Sequence, residues 1–123
     1  MYSYRAKLER VIDGDTLEVV IDLGFNIFRK IKIRLKDIDT PEIFRPSCEK
    51  EKKHGEDAKK FVEDFLLGTT YSGELIVKTV RDSGIYSRYS AVVYRYLGGF
   101  DVRNQPTLTE ALKEHGFEKK ELY

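Results

Sequence analysis

Arg34, Asp37, Asp39 and Glu42 fall within nine residues of one another, in the run Ile33-Arg34-Leu35-Lys36-Asp37-Ile38-Asp39-Thr40-Pro41-Glu42. Three carboxylates this close repel one another unless a cation sits among them. A guanidinium five residues before Asp39 adds a planar fork that can hold one side of a phosphate. Two more carboxylates, Asp13 and Asp15, stand in Asp13-Gly14-Asp15-Thr16. Alone, that turn is an ordinary hairpin connector. Taken with the first run, Asp15, Asp39 and Glu42 offer hard oxygen donors with no Cys or His beside them, which favours calcium, magnesium or manganese over zinc.

Neighbouring chemistries are excluded by the same residues. An EF-hand needs a third oxygen ligand where Leu17 stands, and its glycine and closing glutamate are missing. A phosphatase of the Asp-x-Asp-Gly-Thr kind does not fit, because Gly14 lies between the aspartates and no repeated parallel βαβ pattern follows. His54 and His115 read as solvated or packing residues, and Cys48 as a free surface thiol. Arg34 shares its strand parity with Lys30, Lys32 and Lys36, so all four leave the core on one face. The three lysines read as a solvated face, and Arg34 as a phosphate ligand. Arg88, in the turn before an apolar strand, is the second arginine candidate.

The elements that must position these groups follow from periodicity. Residues 4–12 and 16–22 read as two strands flanking the Asp13-Gly14-Asp15 turn, with Leu17, Val19 and Ile21 on one face. Gly24 permits a reversal into a long third strand over 27–38, which carries the acidic run at its end. Residues 43–53 are polar and cationic, contain Pro46, and read as a surface loop. Ala58, Phe61, Val62, Phe65 and Leu66 then form the stripe of an amphipathic helix, with Gly68 to end it. Strands follow over 74–80 and 90–97. Thr107-Leu108-Thr109-Glu110 is a capping-box signature for a short second helix that buries Leu108, Ala111 and Leu112 and stops at Gly116.

Three strands, a helix, two strands and a helix are the parts of an OB-type barrel, expected as five antiparallel strands in a mainly β, α+β fold. The whole of 1–123 reads as one domain. With 41% hydrophobic and 35% charged residues the chain suits a globular domain. Its net charge of +1 means that any nucleic acid must be held by local placement of Lys and Arg. A single cysteine excludes an internal disulfide. No apolar run approaches a membrane span, and the first residues lack a signal core, so a cytoplasmic location is the expectation, with a secreted mature form as the alternative.

Val11-Ile12-Asp13-Gly14-Asp15-Thr16, the run from Arg34 to Glu42, Tyr86-Ser87-Arg88, and Glu110-Ala111-Leu112 with Gly116 together resemble the successive motifs of the staphylococcal nuclease (thermonuclease) family. The match is collinear through nearly the whole chain. The resemblance implies a calcium-dependent phosphodiesterase acting on DNA and RNA, single-stranded or frayed. It implies that Asp15, Asp39 and the Thr40 carbonyl hold Ca2+, with Asp13 behind them. It makes Glu42 the general base or water-orienting group, Arg34 and Arg88 the phosphate clamp, and Tyr86 a contact to a neighbouring phosphate. It also implies cleavage on the 5′-oxygen side, leaving 3′-phosphate ends. The chain departs from the family at Ile85, where a lysine is frequent, and at Ser87 and Tyr89, where glycines commonly flank the arginine. The third helix of the best-known member has no counterpart before Tyr123.

The chemistry is self-consistent without the family. A phosphodiester is anionic and resists an anionic nucleophile, so a catalyst must neutralise it and position water in line with the leaving oxygen. Two other classes share part of the pattern. A non-catalytic OB-fold domain binding single strands would use Tyr71, Tyr86, Tyr89 and Tyr94 as stacking platforms. A protein-interaction domain with a structural calcium would need the metal alone. The presence of Asp15, Arg34, Asp39, Glu42 and Arg88 together favours the enzyme.

Overall fold

Alternation of apolar and polar residues builds the sheet first. The computed structural model describes residues 2–67, 73–80 and 89–123. Strands β1 (Ser3–Asp13), β2 (Thr16–Asp22) and β3 (Phe28–Leu35) form a meander; helix α1 (Glu49–Leu67) follows, then β4 (Glu74–Thr79), β5 (Tyr89–Arg95) and helix α2 (Leu108–Glu114). The strands close into a barrel in the order β1-β2-β3-β5-β4. This is the expected OB-type architecture with one correction: β3 and β5 pair in parallel, from Ile33 opposite Tyr89 to Leu35 opposite Ala91. The other pairings are antiparallel. Strand β1 serves both neighbours because register shifts between Leu8 and Arg10 and between Val11 and Asp13 bend it around the barrel.

Leu8, Val11, Leu17, Val19, Ile33, Leu35, Leu75, Val77 and Val93 fill the barrel interior. Val62 and Leu66 of α1 and Leu108 and Leu112 of α2 join the same core. Residues after α2 extend that cover, since Phe117 packs its ring against Phe61 and His54, and Tyr123 lies against His54. His54 joins the two layers: Nδ1 pairs with the Tyr123 hydroxyl at 2.7 Å and Nε2 with the Gly116 carbonyl at 2.9 Å. The packing role expected for His54 is therefore met by the 116–123 segment. Cys48 is a free, half-buried thiol. Among the described residues no helix is long and apolar enough to cross a membrane.

Two of the boundaries that differ from expectation flank the acidic run. Strand β3 ends at Leu35 rather than at residue 38, because Asp37 turns into the left-handed region at φ 65°. Helix α1 begins at Glu49, so the later part of the expected 43–53 surface loop is helical. Its buried positions are Glu51, Gly55, Ala58, Val62 and Leu66. They form one continuous stripe, but its first two places are taken by a charge and a glycine, which apolar periodicity cannot register.

Gly55 is required by close approach. A Cβ there would lie 2.6 Å from the Pro41 carbonyl oxygen and 3.0 Å from Ile43 Cγ1. Alanine at a helix interior gains about 1 kcal/mol over glycine in intrinsic propensity. Here the obstacle is backbone that cannot rotate away, and overpacking of this kind costs roughly 1–3 kcal/mol. Gly55→Ala should therefore lower the midpoint of urea unfolding. A stabilised variant would show that the 41–43 backbone yields freely.

Candidate active site

The Asp13-Gly14-Asp15 turn is tight: Asp13 pairs with Thr16, leaving Gly14 and Asp15 to reverse the chain. Gly14 is needed because a Cβ would meet Thr40 Cγ2 at 2.8 Å. Thr40 thus seats directly on the first acidic turn. Its N–H donates to Asp15 Oδ2 at 3.1 Å, while the Thr16 hydroxyl donates to Asp15 Oδ1 at 3.1 Å. Asp15 is only 8% exposed, and the Leu35 N–H fixes its carbonyl at 2.8 Å. A buried carboxylate held by such donors is fixed in position.

Arg34 completes the arrangement. Its Nη2 hydrogen-bonds Asp39 Oδ1 and stands 3.6 Å from Asp15 Oδ2. One guanidinium therefore sits between the two carboxylates that the sequence separates by 24 positions. Lys30 and Lys32 of β3 and Lys36 just beyond it are exposed, and Lys30 lies 3.7 Å from Glu18 Oε1. A polar pocket of about 580 Å³ opens here, lined by Arg34, Asp37, Asp39, Ser90, Glu118 and Lys119 among others. Its walls are pinned from two directions. The Thr109 hydroxyl of α2 donates to the Lys36 carbonyl at 3.1 Å, and the Lys119 N–H donates to the Asp39 carbonyl at 2.7 Å.

Glu42 lies six residues beyond Lys36, on the loop that leads to α1, and is half-buried. Its N–H donates to Glu51 Oε2 at 3.1 Å. Glu51 itself was hidden from sequence reasoning by its place in an apparently polar loop. It is 1% exposed, receives the Ser47 N–H on Oε1 at 2.7 Å, and pairs with Lys119 Nζ at 3.4 Å. The Ser47 and Glu42 N–H groups, followed by the Ser47 side chain and Lys119, hold its carboxyl from 4.5 down to about 2 against the opposing effect of burial.

A pH dependence follows with a definite sign. Because the folded pKa lies below the unfolded one, the unfolded chain binds more protons between them. The stabilisation is complete above pH 4.5 and is lost as pH falls toward about 2. Unfolding midpoints measured through this interval should decline with acidification, and Glu51→Gln should flatten that decline. An unchanged slope in the variant would assign the acid sensitivity elsewhere.

The expected calcium donors fit a hard cation in kind. Two carboxylates already converge on one positive group, every nearby donor is oxygen, and Thr40 Oγ1 is buried without a hydrogen-bond partner. Among the described residues no three His, Cys, Asp or Glu side chains form a ligand group. A cation there would draw on Asp15, Asp39 and the Thr40 carbonyl, with water for its remaining positions. Asp13 is half-buried at the base of the same turn. Arg88 and Tyr86, with Ile85, Ser87, Tyr71 and Gly68, lie outside the described residues. Tyr89 begins β5 and is 44% exposed, with the Arg29 guanidinium 5.8 Å from its ring centroid. No family model matches the chain, and no curated protein matches its sequence.

Proposed function

We propose that the protein is a calcium-dependent nuclease hydrolysing phosphodiester bonds of DNA and RNA. The observation that carries this reading is the Arg34 guanidinium held between Asp15 and Asp39 at the wall of a polar pocket. A phosphate entering that pocket meets a planar fork suited to two of its oxygens. Glu42, on the adjoining loop, accepts a proton from the water that attacks phosphorus in line with the departing 5′-oxygen. Arg34, with Arg88 proposed as its partner, offsets the charge that grows on the phosphoryl oxygens. When bound at Asp15, Asp39 and the Thr40 carbonyl, Ca2+ supplies Lewis-acid polarisation of a phosphoryl oxygen. The resemblance to the staphylococcal nuclease family supports this assignment and the 3′-phosphate product.

A nucleic-acid substrate, rather than a small phosphate ester, is supported by an apolar pocket of about 220 Å³ lined by Tyr4, Ile21, Ile31, Val77, Tyr89 and Ser90 among others. Ser90 lines both pockets, so an apolar recess adjoins the polar one. A base and its phosphate present that same juxtaposition. The exposed Tyr89 ring beside Arg29 also favours the second reading, a binding domain for single strands without catalysis. Labelled single-stranded DNA separates the two. The nuclease shortens it in the presence of calcium, whereas a binder retards it in a native gel and leaves its length unchanged.

A further inference from the structure

The first turn of α1 contains a buried charge where its own helix stripe calls for an apolar residue. The later buried positions of the stripe hold apolar residues, Ala58, Val62 and Leu66. Glu51 instead spends both carboxylate oxygens on the loop outside the helix, with Oε1 on the Ser47 N–H and Oε2 on the Glu42 N–H. One side chain therefore clamps a loop at two amides five residues apart. Lys119 supplies the counter-charge through Nζ, and its backbone N–H holds the Asp39 carbonyl at 2.7 Å. One turn further along α1, the absence of a side chain at Gly55 seats the Pro41 carbonyl.

These bonds converge on residues 39–47, which have no strand partner of their own. We propose that Glu51, with Lys119, is a positioning residue that holds the Glu42 loop in register with the Arg34 and Asp39 side of the pocket. The proposal deepens the nuclease reading and rests on it. The Glu42 amide is bonded directly to the Cα that carries its carboxylate, so release of that amide releases the base. Displacement of a reacting group by about 1 Å can cost on the order of 10²-fold in rate. Gln at position 51 keeps one acceptor oxygen but cannot take both N–H groups and the ammonium.

The test uses Glu51→Gln, Lys119→Met and, as a control, Val62→Ala, a truncation in the same helix remote from the loop. Circular dichroism monitors folding. Amide hydrogen exchange of Glu42 and Ser47 reads the clamp without reference to activity. Turnover of labelled single-stranded DNA under calcium gives kcat and KM. Glu51→Gln is expected to keep the fold, to speed exchange at both amides, and to lower kcat roughly 10- to 100-fold with KM little changed. Val62→Ala is expected to lose stability while retaining kcat.

A Glu51→Gln protein with wild-type exchange and kcat overturns the proposal, as does an equal loss of kcat in Val62→Ala. If Glu51→Gln does not fold, Lys119→Met decides, because it leaves the carboxylate and removes only its counter-charge. A lower kcat with native dichroism supports the clamp, and an unchanged kcat overturns it. Absence of any cleavage by the wild type would instead refute the nuclease reading. The exchange comparison would still decide whether Glu51 holds the loop.

Discussion

Arg34→Ala should lower the rate of calcium-dependent DNA cleavage by about 10²–10³, the loss typical when one preorganised electrostatic stabiliser is removed. Arg34 is only partly exposed and already points between two carboxylates, so its fork is fixed before substrate arrives. Arg34→Lys should recover part of the loss, since an ammonium restores charge but not bidentate geometry. Calcium binding, measured by titration calorimetry, separates this role from a structural one. Removing Arg34 takes away a positive charge that competes for Asp15 and Asp39, so Arg34→Ala should bind calcium at least as tightly as the wild type. Wild-type cleavage by Arg34→Ala would contradict the assignment. A loss of activity accompanied by loss of calcium binding would move Arg34 from the phosphate to the scaffold of the metal site.

Glu42→Gln carries the second large effect. The change is isosteric and leaves the backbone hydrogen bond to Glu51 untouched, so the loop should stay in place. Losing a general base typically costs about 10²–10⁴ in rate. The loss should fall on kcat with KM nearly constant. Steady-state and single-turnover kinetics check that split. Equal rates for wild type and Glu42→Gln, or a KM effect alone, would show that another group orients the water.

The barrel was legible because its strands alternate cleanly and its second helix is announced by a capping box that is present in full at Thr107 and Glu110. The parallel pairing of β3 with β5 was not, since register between distant strands is set by closure and leaves no mark on either segment alone. Asp15, Arg34 and Asp39 were picked out by residue type and spacing and Thr40 by the family resemblance, and the fold brings these four together. What the sequence concealed is how that group is held. Gly14 reads as a turn glycine, yet it is there because Thr40 packs against it. Glu51 reads as a solvated charge in a cationic stretch, yet it is buried among backbone amides. Both roles arise from contacts with residues far along the chain, which local pattern does not encode.

Asp37 illustrates the converse. It belongs to the acidic run between Arg34 and Glu42, but its backbone is what matters, turning β3 out of the barrel at φ 65°. A residue other than Gly, Asn or Asp is strained in that region. Its side chain is exposed at the rim of the polar pocket and takes no part in the proposed reaction.

Calcium-dependent hydrolysis at the Arg34 pocket, as proposed, has one direct test. Purified protein is incubated with 5′-labelled single-stranded DNA under calcium, under magnesium and under chelator, and product ends are identified by their response to a 3′-phosphatase. Shortening is expected under calcium, none under chelator, and the products should change mobility when a 3′-phosphate is removed. Cleavage that persists under chelator, or intact DNA under calcium, would contradict the proposal.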